Sequence, residues 1–177
     1  MSLSRPEPHR PELHRPELHR PVPVAQIGAA GLERRVEANA PELAALAARL
    51  EIPAIHALAC RWRLTPGPDG VVEAEGELTA RLVRVCVVTL DEFDSAVCER
   101  FALRFVPEGR ESAEIDPEAE DEIPYSGAAI DLGEATAEQL ALALDPYPRK
   151  PGAALPDEAQ DAAAHPFATL SRLRPRD

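Results

Sequence analysis

Tyr147, Arg149 and Lys150 stand together in Asp145-Pro-Tyr-Pro-Arg-Lys150, an aromatic and two cations in a chain otherwise rich in acid. An aromatic beside cations can stack on a flat ring and hold an anion, so this segment is a candidate contact, although the residues by themselves name no activity. The plainer reading of Tyr147 is a residue packed at the end of a helix. Arg61 and Arg63 alternate onto one face of an expected hairpin, with Arg81 and Arg84 on its neighbouring strand. They are further candidates, although arginine is mostly exposed whatever its role.

Catalytic chemistry finds little to work with. No Gly-rich phosphate loop, G-x-S-x-G elbow or H-E-x-x-H helix is present. Cys60 lies four residues from His56, but on a strand that separation is roughly 13 Å, too far for a nucleophile and its base. Cys60, Cys86 and Cys98 form no C-x-x-C pair, so neither a zinc knuckle nor a disulfide framework is supported, and small buried side chains on strands are expected. His9, His14 and His19 recur every five residues without the carboxylates or thiols that would fix a metal. The acids from Pro107 to Pro124 lack the glycine-turned spacing of a calcium loop. The residues therefore point to no catalytic site, no metal and no cofactor, and to a protein that is not an enzyme.

The element that must position the Tyr147 segment is a helix over 132–144. Asp131 can cap it, with Glu134 closing a reciprocal box. Leu132, Ala135, Thr136, Leu140, Ala143 and Leu144 give it one apolar side, and Pro146 ends it. A shorter helix is expected over 41–50, with Asn39 or Ala40 as cap and Leu43, Leu46, Ala47 and Leu50 inward. Between the helices the period is two. Leu58, Cys60, Trp62 and Leu64 share one face, and the turn Thr65-Pro-Gly-Pro-Asp-Gly70 leads into the alternation from Val72 to Leu82, continued as strand to Leu90. A further strand places Phe93, Val97, Phe101, Leu103 and Phe105 together, with Glu99 on the same parity implying a bulge or passage beyond the core. Earlier, Arg20 to Ile27 reads as an edge strand and Leu32 to Ala38 as another.

The expected fold class is α+β: a twisted antiparallel sheet from residues 20 to 106 with two or three packed helices, a disordered N-terminal tail and an acidic loop. Residues 1–19 are the Pro/His-rich repeat RPEPH, RPELH, RPELH, expected to be extended and disordered. Residues 20–150 form one domain, and 151–177 are linker plus a short amphipathic end, His165 to Arg174. The loop from Pro107 to Pro124 carries eight acids and one arginine.

The net charge of −12 is uneven: from Asp91 to Asp145 there are sixteen acids against three arginines. A whole-domain nucleic-acid binder shows the opposite field, so any RNA contact should be local. With no transmembrane run and no secretory signal in the sequence, a soluble cytoplasmic protein is expected, with no membrane partner and no small-molecule substrate.

The order of RPVPV, CVVTL, FALRFVP, an acidic loop with DEIPY, IDLGE, EQLALALDPYPRKPG and HPFATLSRL resembles the YceD family, bacterial proteins implicated in accumulation of large-subunit ribosomal RNA. The resemblance spans roughly 20–174 and is most specific at Ile130–Glu134 and the LALDPYPRKPG segment. Relatives often place a C-x-x-C pair where this chain has Cys86-Val87-Val88-Thr89, and Asn-Pro-Phe where it has His165-Pro166-Phe167. The resemblance implies a non-catalytic accessory factor in large-subunit ribosomal RNA accumulation, processing or assembly, partnered by that RNA, a ribosomal protein, or both. The alternative is an acidic module that holds a basic ribosomal protein.

Overall fold

The computed structural model describes residues 16–111 and 121–154. In chain order it has β1 (Pro21–Pro23), β2 (Leu32–Glu37), α1 (Ala40–Arg49), β3 (Ala54–Pro66), β4 (Val72–Val85), β5 (Glu92–Pro107), β6 (Asp121–Tyr125), β7 (Ala129–Asp131) and α2 (Leu132–Ala143). Five strands make one sheet in the order β2-β3-β4-β5-β6, and β1 pairs with β7 in a separate two-stranded ribbon. The α+β class holds. The sheet is mixed rather than antiparallel, because β6 runs parallel to β5, with Leu103 opposite Asp121 and Pro107 opposite Tyr125. A parallel neighbour needs a long return, and residues 108–120 supply it. The stretch expected as loop to Pro124 therefore ends in strand.

Alternation along β3 and β4 falls as the residue types require. Leu58, Cys60, Trp62 and Leu64 are buried, as are Val72, Ala74, Leu78, Ala80 and Leu82, while Arg61, Arg63, Glu73, Glu75 and Glu77 are exposed. Trp62 is the largest buried side chain. Its indole N–H donates to the Thr136 hydroxyl at 3.0 Å, and that hydroxyl donates to the Leu132 carbonyl at 2.6 Å. Phe101 meets the indole edge-on, with ring centroids 5.1 Å apart. It does so by lying over Gly76, its direct cross-strand partner, where an added Cβ would fall 2.1 Å from the ring. One bond and one missing methyl seat the sheet against α2.

Strand β4 stops at Val85, short of the expected Leu90. Cys86 donates its N–H to the Asp91 carbonyl, Leu90 donates back to Cys86, and Leu90 takes a left-handed φ of 62°, which closes a turn. Glu99 does not bulge β5. The β4–β5 register runs unbroken from Val72–Phe105 to Val85–Glu92, so this part of β5 simply passes beyond the core cover. The register shift lies in β3, between Ile55 and Ala57, and it leaves His56 exposed while Cys60 is buried. These two residues do not meet.

Both helices start as their caps dictate. The Asn39 side chain accepts from the Glu42 N–H while Glu42 accepts from Asn39, a complete box with Pro41 in the first turn. Asp131 caps α2 by accepting from Gly133 and Glu134, but the Glu134 carboxylate turns to Arg49 instead of closing a box. A third helix would fall in 155–177, outside the described residues.

The N-terminal boundary differs from the sequence expectation. Leu18 is fully buried in the core, and its carbonyl lies where a Cβ on Gly133 would be 2.3 Å away. Glu17 accepts from Arg49 at 2.9 Å, and Arg49 also grips Glu134 with both guanidinium nitrogens. His19 and the Arg20 N–H both bond Asp131, and the Arg20 side chain forks onto Glu42 at 2.8 and 2.9 Å. Pro16 to His19, the described part of the last pentad, therefore belong to the domain. Proline spacing suggests tail, but a single leucine with a hydrogen-bonded neighbour on each side is enough to dock a short extended segment.

Leu18→Ala should cost ~2–5 kcal/mol of unfolding free energy, the usual range for a leucine cut from a closed core. Thr136→Val should cost ~1–3 kcal/mol by leaving the Trp62 N–H unmet. Urea titrations followed by Trp62 fluorescence check both, and no loss for Leu18→Ala would return residues 16–19 to the tail.

Candidate nucleic-acid interface

The seven candidate residues divide among three places. Arg61 and Arg63 lie on the open face of the sheet, away from α2. There Arg63 meets Glu33 at 3.1 Å, Arg61 lies 3.6 Å from Glu77, and Arg100 reaches the same Glu77 at 3.0 Å. Cross-strand neighbours repeat the pattern, with Arg63 opposite Glu75 and Arg61 opposite Glu77. Here Arg61, Arg63 and Arg100 each already have a carboxylate. A phosphate would have to displace those acids. Arg81 shares the face but sits further along it, opposite Ala57 and Ala96.

Arg84 belongs elsewhere. It is three residues from Arg81, and an odd separation on a strand reverses the face. The side chain is buried on the α2 side, where its guanidinium donates to the Asp145 carbonyl just past the helix. Arg81 and Arg84 share β4, as expected, but not a face: Arg84 is a clamp on the segment that carries Tyr147, Arg149 and Lys150.

That segment is held at four points. Leu144 leaves the helix with ψ at 123°, and the Asp145 carboxylate accepts the Tyr147 N–H at 2.8 Å. Val87 donates its N–H to the Pro148 carbonyl at 2.9 Å, and the Lys150 ammonium lies 3.5 Å from Asp91. Together with the Arg84 bond, these contacts lay the segment along the β4–β5 turn. Its prolines leave it few other conformations. The Tyr147 ring is left 72% exposed, beside exposed Arg149. The remaining exposed large apolar side chains among the described residues are Val85, Val87, Leu90 and Leu142, the first three on the turn itself or the strand entering it and the last in the final turn of α2. Alternation counting misses Val87 and Leu90 as members of this surface because it carries the strand through to Leu90. The signal available was Leu90, an apolar residue just before Asp91-Glu92 with no place in a polar turn.

Cys86 lies beneath the same segment, fully covered. The Thr89 hydroxyl, then the Lys150 backbone N–H, with Thr89 and Val88 N–H groups, stabilise its thiolate and pull its pKa down to about 7. Cys60 is pushed the other way, to about 12, by burial. Cys98 is exposed on β5, not buried as expected. Among the described residues no cluster of three or more His, Cys, Asp or Glu is placed to hold a metal ion. His9 and His14 lie outside those residues, and His19 is engaged by Asp131. Of the acidic loop, 112–120 lies outside them too. No helix of the described residues is long and apolar enough to cross a membrane.

The family model described as large ribosomal RNA subunit accumulation protein YceD matches residues 74–173. The match begins in β4, so it contains Arg81, Arg84, Tyr147, Arg149 and Lys150 but not Arg61 or Arg63. No curated protein and no solved structure matches the chain.

Thiol modification reads the clamp directly. In a Cys98→Ser protein, alkylation of Cys86 should rise as pH passes about 7, where its thiolate forms, while Cys60 stays inert until far higher pH. Thr89→Val should move the Cys86 midpoint upward. Arg84→Met should accelerate the modification roughly tenfold by loosening the covering segment. Mass spectrometry of quenched time points measures all three, and an unchanged rate in Arg84→Met would remove Arg84 as the clamp.

Proposed function

The chain belongs to the YceD family, whose name ties it to accumulation of the large ribosomal RNA subunit, and on that premise we propose that it is a non-catalytic accessory factor contacting large-subunit ribosomal RNA through the Tyr147–Lys150 segment. The observation that carries this reading is the exposed Tyr147 ring on a segment whose backbone is held, which also exposes Arg149, within the family-matched span. A pre-positioned ring can take a base on its face with little ordering cost, and the cation beside it meets the phosphate. The hairpin arginines are poorer candidates, since Arg61 and Arg63 are met by glutamates. The strong acidity of the rest of the domain then serves selectivity, because it repels RNA everywhere except at this segment.

A protein-holding role for the acidic half is the second reading, and the exposed Val85, Val87 and Leu90 around Tyr147 favour a protein contact at the same end of the molecule. One experiment separates the two. Tagged protein is captured from its own host's lysate with and without ribonuclease, and the RNA and proteins are identified. The RNA reading expects large-subunit ribosomal RNA that rebinds the purified protein, weakened about 5- to 150-fold by Tyr147→Ala, the range of one lost base stack at ~1–3 kcal/mol. Arg149→Ala with Lys150→Ala should also flatten the salt dependence, by ~0.7 in log–log slope per lost single-strand phosphate contact. Capture of basic ribosomal proteins alone after ribonuclease, unaffected by these substitutions, would give the role to the acidic surface.

A further inference from the structure

Strand β5 is sixteen residues long, but β6 covers only Leu103–Pro107 of its outer edge. From Glu92 to Ala102 that edge has no strand beside it among the described residues. Which backbone groups it exposes follows from the ladder. Cys86 donates to the Asp91 carbonyl at 2.8 Å as β5 is entered, so residue 91 turns its carbonyl toward β4, and inward- and outward-turned residues alternate along an antiparallel ladder. With the β4–β5 register unbroken, odd residues of β5 turn their N–H and C=O toward β4. The even residues Glu92, Asp94, Ala96, Cys98, Arg100 and Ala102 turn theirs outward. The other end of the strand agrees, since the even residue Glu108 donates to Tyr125 on the β6 side.

Unmatched edges invite another strand, and what this one fits is readable from its own residues. The free window runs from Glu92 to Ala102, and its midpoint is Val97. A second copy laid antiparallel about that midpoint puts Val97 opposite Val97 of the other copy and uses the whole window. Phe93 then faces Phe101, both half-buried on the α2 side of the sheet. Asp94 faces Arg100, twice by symmetry, on the open side. Their side chains are 91% and 83% exposed; within the chain Asp94 has His56 at 3.9 Å and Arg100 shares Glu77 with Arg61. Ala96 faces Cys98, two small residues that let the backbones close. The pairs 92–102, 94–100 and 96–98 are all even with even, so each can exchange both hydrogen bonds, about twelve over the two-fold pairing. The Val97 pair falls in the wide spacing, where it must.

We propose that two copies of this chain associate through antiparallel pairing of their β5 edges, centred on Val97, to make one continuous sheet. Aromatic pairs and opposite charges across strands are the contacts that fix such a register, and a two-fold axis makes the patch its own complement. The contact is made by Glu92–Ala102 and uses none of residues 145–150, so it does not depend on the role of the Tyr147 ring.

The test uses the full-length chain. Sedimentation velocity over a hundredfold concentration range should show a monomer–dimer equilibrium. Asp94→Arg sets arginine against Arg100 and should weaken dimerisation about tenfold or more, whereas Asp94→Arg with Arg100→Asp should recover it. Both positions are solvent-exposed, and circular dichroism will establish that each variant is folded. Val97→Cys in a Cys98→Ser background should give a disulfide-linked dimer on mild oxidation, since that pair is expected with Cα atoms about 4.5 Å apart. A monomer at every concentration with no cross-link at position 97 would overturn the proposal. So would dimerisation that appears only once residues 112–120 are replaced by a Gly/Ser linker, because the edge would then be occupied from within.

Discussion

A buried indole must do something with its N–H, and in this protein the answer is a single threonine hydroxyl. Trp62 sits on β3, an inner strand of the sheet, fully out of water, and the Thr136 hydroxyl on α2 accepts a hydrogen bond from its N–H at 3.0 Å. The threonine is itself held by the Leu132 carbonyl one turn earlier, so its lone pair points in one direction only. That fixes both the height and the rotation of the helix over the sheet. The ring also needs room, which Gly76 provides by letting Phe101 fold down over it. An apolar core of Leu, Val and Ala alone would tolerate many sliding arrangements. One directional bond selects among them.

From α2 the order passes outward in two directions. At its start, Asp131 gathers the Arg20 N–H, the first N–H groups of the helix and His19, so one carboxylate fastens the incoming chain to the helix it caps. Arg49 does the same for α1, bridging Glu17 and Glu134, and both acids lie partly shielded from solvent. Arg20 is held protonated and Glu42 ionised by their mutual bond, which closes the third side. At the other end of α2, Arg84 carries the order to the proline-rich exit. The exposed aromatic surface is therefore the last link of a series that begins in the core.

Much of this was written plainly in the chain. Period two from Leu58 to Leu82 marked both faces of the hairpin, and Asp131 with the leucines after it marked α2. What stayed hidden had physical reasons. The β-branched run that begins at Val83 carries no stop signal of its own, so Val87 and Leu90 were absorbed into β4 although local hydrogen bonds turn them outward. The parallel β6 lies across a long acidic connection, and nothing local in Asp-Glu-Ile-Pro-Tyr distinguishes a parallel from an antiparallel neighbour. The face of Arg84 was available from counting alone. Its partner was not, because the Asp145 carbonyl is a backbone group that every residue type offers. Leu18 was obscured by the prolines around it.

The docking of Glu17, Leu18 and His19 has a consequence for how the gene can vary. Residues 15–19 read RPELH, and so do residues 10–14. Losing one unit by replication slippage leaves the same glutamate, leucine and histidine immediately before Arg20, and gaining one does likewise. The copy nearest the domain is always a competent one. Loss of two would bring up RPEPH, with proline where Leu18 fills the core. The repeat thus shields a buried anchor from the very mutational process that repeats encourage, and the length upstream is free to drift while the joint stays constant.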